Sequence, residues 1–126
     1  MREYEMEKYT SEELSRALQV IVSTISKCEK IQSKFAEGNS QHTLLNNRIK
    51  AMYISKALIT EEHDIEQYSK EGLIDALKQI TSVISKCETG QRKHEMETVH
   101  YKRFQKIIDA MNISKALITD EISKRG

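Results

Sequence analysis

Proline is absent from this chain of 126 residues, and glycine occurs only four times. Proline removes a backbone donor and breaks a helix from inside, and both residues punctuate loops. Their scarcity excludes a fold of many turns and favours long helices with short connections. Tryptophan is absent too, and no stretch approaches the roughly 20 consecutive apolar residues that a membrane-spanning helix needs. The first nine residues, MREYEMEKY, hold no apolar run, so no signal peptide is expected. Net charge is also lacking. Lys and Arg number 20 against 19 Asp and Glu, which gives no global pull toward nucleic acid or an anionic membrane. The two cysteines, Cys28 and Cys87, form no CxxC pair and no disulfide framework, and are read as reduced, buried thiols of a cytoplasmic protein. No glycine-rich phosphate loop, nucleophile elbow or zinc-ligand spacing is present.

What the chain does have is a repeat. The heptapeptide ISKALIT runs from Ile54 to Thr60 and again from Ile113 to Thr119. It belongs to a longer match. A shift of 59 positions, with no gap, sets Tyr9 on Tyr68, Leu14 on Leu73, Ser26-Lys27-Cys28-Glu29 on Ser85-Lys86-Cys87-Glu88 and Ala51-Met52 on Ala110-Met111. Roughly four positions in ten agree, and self-similarity at a fixed period marks a repeated supersecondary unit. Repeat 1 covers about residues 6–64 and repeat 2 about residues 65–123, within a single domain spanning 1–126.

Each unit reads as two helices. Thr10 and Glu13 have the spacing of a capping box, and Tyr9 with Leu14 that of a hydrophobic staple. Repeat 2 keeps the staple in Tyr68 and Leu73 and the cap in Ser69, with Gly72 in place of the glutamate. From there Leu14, Leu18, Ile21, Ile25, Cys28, Gln32 and Phe35 recur at gaps of four and three, as do Leu73, Leu77, Ile80, Ile84, Cys87, Gln91 and His94. That alternation is a helical seam. Gly38-Asn39-Ser40 breaks the first unit, with Ser40 placed to cap the next helix. This helix buries Leu45, Ile49, Met52, Ser55 and Ile59, matched by Phe104, Ile108, Met111, Ser114 and Ile118. Nothing like Gly38-Asn39-Ser40 recurs in repeat 2, and alignment alone places its turn near Glu97-Thr98. One helical hairpin cannot cover its own apolar face, whereas two can. The expected fold is all-α: a four-helix bundle built from two duplicated antiparallel helical hairpins with pseudo-two-fold symmetry.

The stretch from Ser11-Glu12-Glu13-Leu14 to Ile49-Lys50-Ala51-Met52 resembles, in its pattern, the first hairpin of the helical flagellar export chaperones. The resemblance covers one hairpin, and those chaperones are not gapless duplications. What it implies is one job for such a bundle, which is to cradle a partner's helix.

Several residues carry a chemical reading beside a structural one. Gln32 and Gln91 sit on the seam, where a polar group can fix register. They are read instead as half-solvated residues at the open end of the bundle. His94, Glu97 and His100 include the Glu-x-x-His spacing of carboxylate-bridged metal bundles, but repeat 1 has Gly38 and Gln41 at the matching places of Glu97 and His100. They are weak metal candidates, no metal is assigned, and no cofactor is expected. Arg92, Lys93, Lys102, Arg103 and Lys106, with Tyr101 and Phe104 interleaved, are read as a solvated face and not as a nucleic-acid surface.

Ile54 and Ile113 lie well off the buried arc of their helices at matching places. They are candidates for a second contact surface, with a protein partner or in a homodimer. The leading reading is a non-catalytic helical interaction or structural module, an adaptor or chaperone-like binder of a partner helix. The competing one is a metal-binding or enzymatic bundle centred on His94, Glu97 and His100.

Overall fold

The computed structural model describes residues 8–61 and 63–126. The stretch searched for a signal peptide therefore lies, up to Glu7, outside the described residues. Among the described residues there are four α-helices and no strand: α1 (Ser11–Gln32), α2 (Ser40–Thr60), α3 (Lys70–Gln91) and α4 (Val99–Lys124), with a short 3-10 segment (His63–Gln67) between α2 and α3. No helix among them is long and apolar enough to cross a membrane.

The helix starts follow from local chemistry. Thr10 accepts from the Glu13 amide at 3.0 Å while the Glu13 carboxylate accepts from the Thr10 amide at 2.8 Å, so the capping box is complete. Ser69 accepts from the Gly72 amide at 3.0 Å and Thr98 from the Tyr101 amide at 3.2 Å. The expected cap at Ser40 is displaced by one residue. Asn39 takes the position, its side chain accepting from the Gln41 amide at 2.8 Å, and Ser40 is the first helical residue. Gly38, at φ +89°, turns the chain into that cap in a conformation that disfavours any side chain. The second turn lies at residues 92–98. The ends of α1 and α3, and the starts of α2 and α4, each stand 59 residues apart.

The largest interfaces join α1 to α2 and α3 to α4. Helix α2 also packs on α3, α1 on α4, and α2 meets α4 across the middle, with no comparable contact between α1 and α3. The central pair is thus made of the two helices that carry ISKALIT. Ser55 and Ser114 lie there fully sealed. Each hydroxyl bonds back to its own helix, Ser55 to the Ala51 carbonyl at 2.9 Å and Ser114 to the Ala110 carbonyl at 3.1 Å. A small residue whose hydroxyl is satisfied locally lets the facing helix approach closely. Ile21, Met52, Leu58, Leu73, Ile80, Met111 and Ile118 close the core around them. At the far end Arg125, the C-cap of α4, donates to the carbonyls of Ile65, at 2.8 Å, and Tyr68. The C-terminal end of α4 therefore meets the α2–α3 connection, and both hairpin turns lie at the opposite end.

The two hairpins solve one packing problem differently. A Cβ added at Gly90 would come within 2.7 Å of the Phe104 ring. The matching positions in the first hairpin hold Ile31 on α1 and Leu45 on α2, a larger residue in place of Gly90 and a smaller one in place of Phe104. Alanine at Gly90 gains about 1 kcal/mol of helix propensity, but overpacking costs about 1–3 kcal/mol. Gly90→Ala should therefore lower stability in denaturant melts, and Phe104→Leu should cost less in the Gly90→Ala background than in the wild type. Equal costs in the two backgrounds would show that the ring moves aside freely.

Candidate functional site

Ile54 was expected on an outer surface and is not there: it is 3% exposed and part of the core. The cause is the enclosure of α2. Over its second half Ala51, Met52, Ile54, Ser55, Ala57, Leu58 and Ile59 are all buried, because α1, α3, α4 and the 3-10 segment surround it. Ile65 of that segment is itself buried in the same cluster. A helix that is apolar all round is a buried helix, so an arc drawn from a single seam is too narrow. Ile113, at the matching place on α4, is half-buried and packs against the core.

The two isoleucines do share an environment: each sits at the base of a cleft. The first cleft, about 470 Å³, runs between α1 and α4 and is lined by Glu13, Arg16, Ala17, Gln19, Val20, Lys106, Asp109, Ala110, Asn112 and Ile113. The second, about 600 Å³, runs between α2 and α3, with Asn47, Lys50, Ala51, Ile54, Gly72, Asp75, Ala76, Lys78 and Gln79 among its lining residues. Apart from Asn112, every lining residue of the first cleft has its counterpart 59 positions away in the second. The floors agree: Ala17, Ala110 and Ile113 in one, Ala76, Ala51 and Ile54 in the other. The walls differ in charge. Arg16 on α1 and Asp109 on α4 line the first where Asp75 on α3 and Lys50 on α2 line the second, so this one pair is reversed, while Glu13, Gln19 and Lys106 of the first are matched by Gly72, Lys78 and Asn47. Gln79 replaces Val20, and its carboxamide oxygen is buried without a hydrogen-bond partner.

The other candidates fall as follows. Burial holds the thiols of Cys28 and Cys87 above their ordinary pKa, with the charge of Arg48 pulling both the other way less strongly. At neutral pH both are therefore neutral thiols, buried and unpaired with each other, as reduced cysteines were expected to be. Of the seam glutamines, expected to be half-solvated, Gln32 is so and Gln91 is not. Gln91 is buried, and its amide donates to the Tyr101 carbonyl at 3.2 Å and to Gln105 Oε1 at 2.8 Å. Gln32, half-buried, makes the matching bond to the His42 carbonyl at 3.2 Å. Each glutamine thus ties the end of one helix to the first turn of the next, which fixes the register of its hairpin.

His94 and His100 come together, but as stacked rings with centroids 5.0 Å apart and planes 29° from parallel, and His94 stacks in turn on Phe104 at 6.1 Å. Glu97 is exposed, and no group of three or more His, Cys, Asp or Glu side chains that could hold a metal occurs among the described residues. Arg92, Lys93, Lys102, Arg103 and Lys106 are all exposed, while Tyr101 and Phe104 are half-buried, Phe104 against the core.

Arg48 is a residue that the seam analysis passed over. The available signal was its alignment with Ile107, a charged residue set against an apolar one in otherwise matching helices. Comparison with protein-family models, with curated proteins and with solved structures finds no match.

Proposed function

We propose that the chain is a duplicated helical hairpin, folded about a pseudo-two-fold axis along the bundle, that acts as a non-catalytic interaction module and presents one kind of cleft twice. The observation that carries this reading is the agreement of the two clefts, floor against floor at 59-residue spacing, with one pair of wall charges reversed. Small alanine floors leave room for an occupant, and Val20, Ile113 and the aliphatic stems of Arg16, Lys50 and Lys78 supply apolar contact, which suits the side chains of an amphipathic partner helix lying along a groove. The differing wall charges give the two clefts different preferences for the direction or sequence of what they bind, since charge placement sets register and partner choice more than bulk affinity.

The experiment is site-specific photo-crosslinking in the native host. Gln19 and Lys78 are exposed, matching residues at the cleft walls, and Ser26 is exposed away from them. Crosslinkers at Gln19 or Lys78 should each capture a discrete protein partner that a crosslinker at Ser26 does not. The same pattern of products from all three positions would remove the clefts from the account.

A further inference from the structure

On α2 the stripe Met52, Ser55 and Ile59 is sealed inside the bundle, and one turn nearer the hairpin turns the same stripe reaches Arg48. On α4 the equivalent stripe runs Ile107, Met111, Ser114 and Ile118, and Ile107 packs against the core. Arg48 thus enters the interior where its counterpart is a plain apolar residue. Its Nε and Nη2 are shut off from solvent and hydrogen-bonded to nothing. Its charge acts on the thiols of both Cys28 on α1 and Cys87 on α3. Neutral thiols are poor acceptors and leave these two donors unsatisfied.

Buried donors with no acceptor are costly, and replacing such a group by an apolar residue is often neutral or stabilising. The isoleucine of the second hairpin shows that this fold can do without the charge. We propose that Arg48 is an oxyanion-binding residue, taking a carboxylate or phosphoryl group on its Nε and Nη2 in the half of the bundle nearer the two hairpin turns. Those two nitrogens form the side-on edge of the guanidinium, whose parallel N–H groups match two oxygens of one anion. Helical side chains lean toward the N-terminus of their own helix, and for α2 that direction is the turn end. Arg48 as a residue is only half-buried, and its long stem lets the fork move to an anion arriving there. The inference does not depend on the clefts.

The test compares the melting temperature of the full chain with that of Arg48→Ile, which installs the residue of the second hairpin, in inorganic phosphate, in acetate and in chloride at matched ionic strength. Any rise common to both proteins reflects general exclusion of the anion from protein surface. The wild type should rise beyond Arg48→Ile by about 3–5 °C at saturation, as expected for a ligand that binds only the folded state. A rise with phosphate alone assigns the site to phosphoryl groups, and one with acetate alone assigns it to carboxylates. In chloride, Arg48→Ile should melt at least as high as the wild type. Equal anion responses in the two proteins, no response in either, or a lower melting temperature of Arg48→Ile in chloride would each overturn the proposal. Arg48→Lys keeps the charge but not the fork, and should lose most of the response.

Discussion

Ile54→Asp should abolish the cooperative melting transition or lower it by about 12–20 °C, whereas Ile113→Asp should lower it far less. The two residues occupy the same place in the repeat and differ in enclosure. Ile54 is 3% exposed and surrounded by α3 and the 3-10 segment, with Ile65 of that segment buried in the same cluster. Ile113 is half-buried at the floor of the cleft between α1 and α4. Aspartate is the informative substitution because its short stem cannot carry the charge out to the cleft, as a lysine could. A charge placed without a partner in a sealed site costs more than about 4 kcal/mol, a large part of the roughly 5–15 kcal/mol that holds a domain together. Circular dichroism melts of the two variants would decide the matter. If Ile113→Asp were as damaging as Ile54→Asp, the two isoleucines would be equally enclosed, and the closer packing around α2 would not distinguish the halves.

The features legible in the sequence are those set by neighbours three or four residues away. Thr10 and Glu13 announce a capping box and the structure places it as read, Tyr9 and Leu14, spaced as a staple, both pack against the core, and Ser55 and Ser114 are buried as expected. The four-three spacing of Ile21, Ile25 and Cys28 likewise identified a buried face. What escaped depends on contacts from far along the chain. Nothing near Ile54 in sequence says that α3 and the 3-10 segment will close over it. Gln91 looked like a solvated residue because its acceptors, the Tyr101 carbonyl and Gln105, belong to the next helix. Arg48 was overlooked because a scan for apolar periodicity skips a charged residue, although the repeat itself set it against Ile107. The clefts were not anticipated: Ile54 and Ile113 were read as an outer contact surface, whereas Ile54 is buried in the core and Ile113 is half-buried, and both line grooves between helices.

Separating the hairpins should have the largest effect of all. A fragment of residues 1–66 holds α1, α2 and most of the 3-10 segment, but lacks the helices that seal Ile21, Met52, Ser55, Leu58 and Ile59. Two helices alone leave these side chains facing water, and burying one such residue is worth about 1.5–3 kcal/mol. Several lost together exceed what the capping box and staple of α1 can offset, at roughly 1 kcal/mol for a cap. The fragment's remaining route to a closed core is a second copy of itself standing in for residues 67–126, which the repeat makes available. In the whole chain both halves are already present, so the core closes without a partner.

Sedimentation velocity on the 1–66 fragment, run over a range of concentrations beside circular dichroism of the same samples, tests that claim most directly. Two duplicated hairpins closing one core predict a largely unfolded monomer at low concentration and a helical species of twice the mass as concentration rises. A helical monomer whose content and cooperative melting do not change with concentration would mean that one hairpin covers its own apolar face, which contradicts the account.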